Sequence, residues 1–411
     1  MSLDNKTVLI TGITGFIGSH MARYLIDNEA TVFGFKRRRA DGKIPQNIGY
    51  MGIENEMNLI DGDLEDFSSV EFCLDESNPD LIFHFASQSS VQRSFSNPFE
   101  TMKANCIGTA NLLEAIRIKG VDPKIVFAGS CEEYGIVISS REQYKEILHK
   151  HGVIMPEPKE IPELPVSENS PLRPISPYAI SKVYGDQLMR NYYDSYGLKT
   201  IVSRGFNHEG PGRGIMFVTS TIVSQIAKFK SNVNNKIMIG NINACRDWSH
   251  ITDMIKGYCL LAEKGNYGDA YNLGSERTNS VLSYILLSLE AAGYLIDMIE
   301  TVNDGKKIKN PTEIDNSELF GLRFQKTKID KMMIEEGMQF NLSNKGIIAY
   351  TNKGKILIEF DKNKFRPVEV PLLLSNTGKV QKLGFKITHT LEDIIVDQLN
   401  YFTSNNQLGG I

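Results

Sequence analysis

Tyr178 and Lys182 are the pair in this sequence best suited to taking a proton from a hydroxyl group. Of the sixteen tyrosines, only Tyr178 is followed by a lysine at the fourth position. The run Ser176–Lys182 opens a predicted helix, where the i, i+4 spacing puts both side chains on one face. An ammonium group near a phenol favours the phenolate, so we expect a lowered pKa for Tyr178. The alternative is a surface pair without a chemical role.

Ser130 and Glu132 offer a hydroxyl donor and a second acid or base. They lie in Ser130-Cys131-Glu132-Glu133-Tyr134-Gly135, directly after a predicted strand. Open α/β sheets bind ligands at the carboxyl ends of their strands, so we expect both side chains to face Tyr178. A second acid or base beside the tyrosine indicates elimination rather than simple oxidation and reduction. The alternative is that Glu132 only caps the following segment.

A glycine-rich turn lies near the N-terminus, in Thr11-Gly12-Ile13-Thr14-Gly15-Phe16-Ile17-Gly18. It stands where a buried strand passes into a helix. Glycine lets the backbone approach a pyrophosphate closely, and the helix N-terminus supplies free N–H groups. The GxxGxxG spacing alone also fits a tight turn without a ligand. The position in the first strand–helix unit, and Asp63 after the third strand, favour dinucleotide binding.

The residues after the second predicted strand select the dinucleotide. An NAD site places a carboxylate there to bind the ribose 2′-hydroxyl. This chain has Lys36-Arg37-Arg38-Arg39 instead. Guanidinium groups bind a 2′-phosphate through charge-assisted hydrogen bonds. We therefore predict NADP, with a solvated basic loop as the alternative.

Strand and helix alternate through the first half of the chain, which predicts a Rossmann-type doubly wound parallel sheet in an α/β protein. We predict a dinucleotide-binding domain over 1–206, to which a segment near 244–272 returns. Residues 207–243 and 273–411 are predicted to form a smaller, discontinuous α/β substrate domain. The individual predictions are strands at 7–11, 30–35, 57–60, 80–85, 124–128 and 200–204, helices at 15–27, 67–76, 101–119, 141–151, 176–196, 218–229 and 391–402, and a hairpin from 347–350 and 355–360.

Composition excludes several classes of protein. The 411 residues are 41% hydrophobic and 23% charged, as in an ordinary globular enzyme, and 45 basic against 49 acidic residues give a net charge of −4. We therefore expect no nucleic-acid partner, and the absence of a long apolar run predicts no membrane partner. Five scattered cysteines without a CxxC motif fit reduced thiols and a cytoplasmic location. No spacing of histidine, cysteine and carboxylate residues indicates a metal site.

Several separated motifs together resemble the extended short-chain dehydrogenase/reductase family, and within it the GDP-mannose 4,6-dehydratases. TGxxGxxG and YxxxK mark only the superfamily. More specific segments are Phe33–Arg38, Phe206–Pro211 with Arg213-Gly214 and Phe217–Thr219, Ile239–Asn241 with Arg246–Trp248, and Phe365–Val370. The resemblance covers about residues 6–402.

The resemblance implies a set of site residues. Those implied for catalysis are Ser130, Glu132, Tyr178 and Lys182. Those implied for NADP are Gly12, Gly15, Phe16, Ile17, Gly18, Arg37, Arg38, Asp63, Leu64, Ala86, Tyr178, Lys182 and Arg213. Those implied for the nucleotide-sugar are Asn207, Val218, Arg246, Arg366 and Glu369, with the two arginines near the diphosphate or its ribose and Glu369 on a ribose hydroxyl.

The resemblance also implies a reaction, that of a hydro-lyase. Tyr178 would take the C4 hydroxyl proton while NADP⁺ accepts the C4 hydride, and Ser130 would bond the C4 oxygen. Glu132 would then remove the C5 proton, water would leave from C6, and the hydride would return to C6. The product would be a 4-keto-6-deoxy sugar. Relatives of this kind assemble, so we expect a homodimer or homotetramer.

The sequence departs from the family pattern at several points. Cys131 replaces a serine in the catalytic run, Pro211–Gly214 has one arginine where the family has two, and Ser220-Thr221 replaces a basic pair. Insertions near 139–163 and 305–342 have no family counterpart. Another GDP-hexose or a heptose therefore stays open as the sugar. A nucleotide-sugar 4-epimerase or decarboxylase is the second reading, and a non-catalytic NADP-sensing protein is the third.

Overall fold

The computed structural model describes residues 5–229 and 235–407. The outer ends of the predicted domains, residues 1–4 and 408–411, and residues 230–234 within the second domain lie outside the described residues. Within the described part of the chain, no helix has both the length and the apolar character needed to cross a membrane.

Twenty strands occur in the described residues. They are β1 (Thr7–Thr11), β2 (Thr31–Lys36), β3 (Asn58–Asp61), β4 (Leu81–His84), β5 (Lys124–Ala128), β6 (Thr200–Gly205), β7 (Asn207–Glu209), β8 (Lys236–Ile239), β9 (Cys245–Arg246), β10 (Trp248–His250), β11 (Ala270–Leu273), β12 (Asn279–Ser280), β13 (Ile296–Thr301), β14 (Lys307–Lys309), β15 (Ile314–Asp315), β16 (Glu318–Leu319), β17 (Leu322–Arg323), β18 (Lys326–Thr327), β19 (Gly346–Thr351) and β20 (Gly354–Phe360).

Fourteen α-helices accompany these strands in the same residues. They are α1 (Phe16–Asp27), α2 (Gln46–Met51), α3 (Phe67–Ser77), α4 (Val91–Ser96), α5 (Pro98–Met102), α6 (Gly108–Lys119), α7 (Arg141–His151), α8 (Pro177–Tyr196), α9 (Val218–Ala227), α10 (Ile251–Lys264), α11 (Val281–Ala291), α12 (Lys328–Ile334), α13 (Gly378–Gln381) and α14 (Leu391–Gln407).

Seven parallel strands form the first sheet, in the order β11-β6-β5-β4-β1-β2-β3. The predicted Rossmann-type fold is confirmed. Buried apolar side chains cover both faces of the sheet, as a parallel sheet between helices requires. The strand order reverses between β1 and β4, so the crevice at the carboxyl ends of these two strands is where such a sheet binds its ligand.

A mixed five-stranded sheet, in the order β14-β13-β19-β20-β8, forms a second layer with helices α9, α11 and α14. The predicted hairpin is present as β19 and β20, paired in register from Gly346–Glu359 to Thr351–Gly354. Late residues also return to the first sheet, because β11 pairs with β6. The loops and short strands that pass between the sheets hold several of the predicted site residues.

The predicted helix at 101–119 differs most from the structure. Helix α5 begins earlier, at Pro98, and a single π-helical turn, Lys103–Ile107, separates it from α6. The wider turn places the buried Asn105 against α8, where its Nδ2 donates to Ser181 Oγ at 2.8 Å. π-helical turns within helices often occur at functional sites.

Both insertions are ordered around buried charges. In the first, Arg173 donates to both carboxylate oxygens of Glu163 at 2.7 and 2.8 Å, and these side chains are only 4% and 7% exposed. In the second, the fully buried Lys326 donates to Ser317 Oγ at 2.9 Å and lies 3.3 Å from Asp315 Oδ1. Such pairs fix loops that have little core of their own.

The first insertion gives a test of this account. Glu163→Gln leaves the Arg173 guanidinium buried without a full counter-charge, so we expect a loss of about 3 kcal/mol in the free energy of unfolding. The exposed Glu160 lies in the same segment, and Glu160→Gln should change this free energy by less than about 0.5 kcal/mol. Denaturant titration followed by circular dichroism measures both. Equal stability of the two variants would contradict the role of the pair.

Candidate active site

The glycine-rich turn lies at the crevice between β1 and β4. Gly12 has a φ of +74°, and a Cβ there would lie 2.7 Å from the backbone nitrogen of Ala86, in the loop after β4. A Cβ at Gly18 would lie 2.4 Å from the Gly12 carbonyl oxygen. Only glycine fits these contacts, and the two loops therefore form one narrow cradle.

Helix α1 begins at this cradle without a side-chain cap. Gly15 occupies the N-cap position, and no side chain accepts a hydrogen bond from the first turn. The N–H groups of that turn and the positive end of the helix dipole are therefore available to an anion. Phe16 begins the helix and Ile17 packs against the core below it, so these two predicted residues shape the cradle.

The basic loop follows β2 at the same edge of the sheet. Lys36 forms an ion pair with Asp61. Arg37 lies 3.7 Å from Asp63 and is largely exposed, and Arg38 is exposed with no ion-pair partner among the described residues. The guanidinium groups of Arg37 and Arg38 are thus accessible to a ligand, and Asp63 lies beside that of Arg37. The predicted Leu64 is buried next to this loop and packs against Gly108.

Ser130 and Glu132 belong to one short 3-10 turn, Cys131–Tyr134, that follows β5. Ser130 Oγ accepts from the Glu132 N–H at 3.2 Å, and the Glu133 carboxylate accepts from the Ser130 N–H at 2.7 Å. The capping carboxylate is therefore Glu133, not Glu132 as the alternative reading of the sequence supposed. Glu132 takes no part in this cap; 12% of its side chain is exposed, and its Oε1 lies 3.7 Å from Arg366 Nη1.

Tyr178 meets this turn from the first turn of α8. Burial raises the pKa of Tyr178 well above the usual value, and the neighbouring Ser130 side chain opposes this only in part. The prediction that Lys182 lowers the pKa of Tyr178 is therefore wrong for the chain without a bound ligand. Lys182 Nζ donates to the Ala128 carbonyl at 2.7 Å and lies 5.9 Å from the Tyr178 ring centroid, so its charge is directed to the backbone. Burial lowers the pKa of Lys182 to about 8.

The opposite wall carries three of the predicted charged residues. Glu369 Oε1 accepts from Arg246 Nη2 at 2.5 Å and from Arg366 Nη1 at 3.2 Å. Arg366 Nη1 also lies 3.7 Å from Glu132 Oε1. The two arginines expected to contact the substrate thus already bind a carboxylate of the chain, and one of them reaches the predicted base.

The remaining predicted residues lie between the cradle and this wall. The guanidinium of Arg213 stacks on the Phe217 ring at 3.7 Å and lies 5.3 Å from the ring of Phe16. Val218 begins α9 directly after Phe217, and the Asn207 N–H donates to the Asp247 carbonyl at 3.1 Å in the crossing between the sheets. The structure therefore brings residues from both halves of the chain to one crevice.

Sequence reasoning did not find every buried polar group of this site. The His84 ring bonds Thr11 at 2.7 Å and Thr109 at 3.0 Å beneath the cradle, and burial lowers its pKa to about 3. Asn105 and the Glu133–Asp186–Arg204 group were also missed. No short motif marks them, and only their position at strand and helix ends would have indicated them.

The arrangement supplies the groups needed for proton transfer at a bound hydroxyl. A phenol lies beside a serine hydroxyl, a carboxylate follows in the same turn, and the first helix of the sheet begins without a side-chain cap. Within the described residues, no group of three or more histidine, cysteine, aspartate or glutamate side chains is arranged to hold a metal ion.

Comparisons with known proteins point to one family. Residues 8–274 match the NAD dependent epimerase/dehydratase family, and residues 160–398 match the GDP-mannose 4,6 dehydratase family. A GDP-mannose 4,6-dehydratase of Sinorhizobium fredii is 30% identical over 98% of this chain and 99% of its own length. Another, from Yersinia enterocolitica, is 29% identical over 96% of this chain and 93% of its own length.

Solved structures show the same fold. A UDP-glucose 4-epimerase of Thermotoga maritima, solved with UDP-glucose, has a TM-score of 0.68 at 22% identity and covers 97% of this chain and 99% of its own. A dTDP-glucose 4,6-dehydratase of Bacillus anthracis, solved with NAD, has a TM-score of 0.65 at 20% identity, covering 97% of each chain. RMD from Pseudomonas aeruginosa, solved with NADPH, has a TM-score of 0.64 at 21% identity over 98% of this chain and all of its own.

Proposed function

Because the chain belongs to the NAD dependent epimerase/dehydratase family and to the GDP-mannose 4,6 dehydratase family, we propose that it is an NADP-dependent nucleotide-sugar 4,6-dehydratase. The substrate is GDP-mannose or a related GDP-sugar, and the product is the 4-keto-6-deoxy sugar. One observation carries this choice over a 4-epimerase or a decarboxylase: Glu132 follows Ser130 in the turn beside Tyr178, close enough for its charge to act on the phenol.

The residues of the cradle fit a dinucleotide. The Cβ-free surface formed by Gly12 and Gly18 lies beside the uncapped N-terminus of α1, as a pyrophosphate requires. Arg37 and Arg38 would bind the 2′-phosphate, which distinguishes NADP from NAD. When bound in its oxidised form, this cofactor supplies a hydride acceptor, the return of that hydride, and a positive charge.

Each catalytic side chain has a separate task in the proposed reaction. Tyr178 takes the proton from the C4 hydroxyl, and Ser130 holds the C4 oxygen through a hydrogen bond. A C4 ketone makes the C5 proton acidic, so Glu132 removes that proton and then returns one to the departing C6 hydroxyl. Lys182 donates to the Ala128 carbonyl and so holds α8 against the end of β5.

The substrate diphosphate would bind Arg246 and Arg366 in place of Glu369. Support comes from the two hydrogen bonds that Glu369 accepts from these arginines, which show that both guanidinium groups point at one anionic oxygen. We further propose that 1–206 with 244–272 bind the dinucleotide, while 207–243 and 273–411 bind the nucleotide-sugar. The pairing of β11 with β6 supports the return of the chain to the first sheet.

The reaction itself is the first test. Incubation of the purified protein with GDP-mannose should give a product lighter by one water, and deuterium placed at C4 should reappear at C6, as mass spectrometry measures. Glu132→Gln should lower the rate of water loss by about 10²–10⁴-fold because it removes the C5 base. Glu76→Gln, an exposed helix residue, is the matched control. Release of carbon dioxide, or an isomer of unchanged mass, from any nucleotide-sugar would support the alternatives instead.

The cofactor has its own test. Arg38→Ala and Arg37→Ala should each raise the Kd of NADP about 10–100-fold, because each removes a charge-assisted hydrogen bond worth about 1.5–3 kcal/mol. The Kd of NAD should change less than about twofold on the same argument. Arg117→Ala, on the surface of α6 and paired with Glu114, should alter neither. Fluorescence titration of the wild type and the three variants with each cofactor gives these constants, and equal weakening of NADP and NAD would refute the phosphate contact.

We also propose a homodimer, or a tetramer built from it, formed through α6 and α8. Support comes from large apolar side chains on the outer surface of α8 and on and near α6, with Ile118, Ile180 and Tyr184 between 40% and 56% exposed. Ile180 and Tyr184 are four residues apart and share a helix face. The cytoplasmic location stays a prediction, in keeping with the five free thiols.

A substitution on α8 tests the assembly. Ile180→Asp places a charge on the proposed contact, so light scattering after size-exclusion chromatography should show a shift from dimer to monomer. Leu295→Asp is the control, since Leu295 is 61% exposed but lies just before β13 in the second sheet. A wild-type protein that is monomeric at micromolar concentration would overturn the proposal.

A further inference from the structure

A carboxyl pair without its own place in the proposed mechanism lies directly beneath the 131–134 turn. Glu133 and Asp186 are both fully buried, on the turn and on α8. Gly129 makes room for the first of them, because a Cβ at Gly129 would lie 2.6 Å from Glu133 Oε1. Two carboxylates this deep in a protein are unstable together unless cations or protons compensate them.

The cations around the pair are unequally placed. Arg204 Nε donates to Asp186 Oδ2 at 2.8 Å but lies 3.6 Å from Glu133 Oε2. Arg190 Nη1 adds a second contact to Asp186, at 3.8 Å from Oδ1. Within the described residues, Glu133 has no ion-pair partner besides Arg204. Asp186 is therefore much the better compensated of the two.

Each carboxyl group has one oxygen with a hydrogen-bond donor and one without. Glu133 Oε1 accepts from the Ser130 N–H at 2.7 Å and Asp186 Oδ2 accepts from Arg204 Nε, whereas Glu133 Oε2 and Asp186 Oδ1 have no donor among the described residues. Glu133 Oε2 and Asp186 Oδ2 lie 3.6 and 2.8 Å from the same Arg204 Nε, so the two carboxyl groups are neighbours. A proton on Oε2 would turn this contact between two acceptors into a hydrogen bond.

We propose that Glu133 is held as a neutral carboxylic acid that donates to the Asp186 carboxylate and accepts from the Ser130 N–H. It is a positioning residue, since it ties the turn bearing Ser130 and Glu132 to α8, the helix bearing Tyr178. The effect on catalysis rests on the proposed function, whereas the protonation state does not.

Other titratable groups facing Glu133 are consistent with this state. From α8 these are Lys182 and Tyr178, and from its own turn Cys131, Glu132 and Tyr134. Lys182 donates to the Ala128 carbonyl rather than to Glu133, and Tyr134 donates to Asn272 at 2.6 Å. Burial, then the charge of Asp186, raises the pKa of Glu133 well above its usual value, and Arg204 opposes this only in part.

The protonation state predicts how stability changes with pH. In the unfolded chain Glu133 loses its proton at about pH 4.3, whereas in the folded chain it keeps the proton to a higher pH. Between these two pKa values the folded state binds one more proton, so this residue makes the fold less stable as pH rises. Glu133→Gln keeps both hydrogen bonds and removes the proton. The equilibrium constant for unfolding of the wild type, divided by that of this variant, should therefore rise about tenfold per pH unit above pH ~5.

Two comparisons make the test decisive. Asp186→Asn removes the charge that pairs with Arg204, so it should lower the melting temperature far more than Glu133→Gln, and Glu76→Gln should leave the pH dependence unchanged. An infrared difference spectrum between wild type and Glu133→Gln should show the C=O stretch of a protonated carboxylic acid. Equal damage from Glu133→Gln and Asp186→Asn, or a carboxylate band in place of the acid band, would overturn the proposal.

The positioning role has a kinetic test with GDP-mannose. Glu133→Leu removes the acceptor for the Ser130 N–H, so kcat should fall about tenfold, the effect of losing about 1.4 kcal/mol of positioning energy, while KM changes little. Glu133→Gln should recover most of this loss. A fall that Gln does not recover, or one confined to KM, would refute positioning. If the wild type releases water from neither GDP-mannose nor a related GDP-sugar, the proposed function fails, and the infrared and stability measurements still decide the protonation state.

Discussion

The hydrogen bond between the Glu133 carboxyl group and the Ser130 N–H fixes the geometry on which the rest of the site depends. It closes a four-residue turn at the end of β5, which keeps Ser130 and Glu132 beside Tyr178. Because β5 lies inside the sheet, between β6 and β4, the turn is anchored to a core that is packed on both faces. A single acceptor thus orients Ser130 and Glu132 toward α8, which carries Tyr178.

Charge on the two walls of the crevice is balanced in different ways. Beneath the turn, buried groups are compensated by Arg204 and, as proposed, by a retained proton. On the opposite wall, Arg246 and Arg366 share Glu369, and these side chains are less deeply buried. The first arrangement is permanent, because no ligand can reach it. The second is exchangeable, as a binding site for an anion must be.

The sequence predicts the fold well because alternating apolar runs and glycine turns are local signals. The strands from Thr7 to Ala128 and the long helix α8 lie within one or two residues of their predicted ends. The side chains beneath the site were not predicted, since Glu133 and Arg204 look like ordinary charges until the fold buries them. The predicted lowering of the Tyr178 pKa was wrong for the same reason. The spacing shows that Lys182 is near Tyr178, but it does not show that the Lys182 ammonium group donates to a backbone carbonyl.

The carboxylate between the two arginines has a consequence for turnover. If the diphosphate replaces Glu369, as proposed, this side chain remains tethered a few ångströms away as a competitor that dilution cannot remove. Substrate binding is then an exchange of one anion for another, which lowers the affinity for any nucleotide. In the reverse exchange Glu369 displaces the diphosphate of the product, which shortens the time for which the product stays bound.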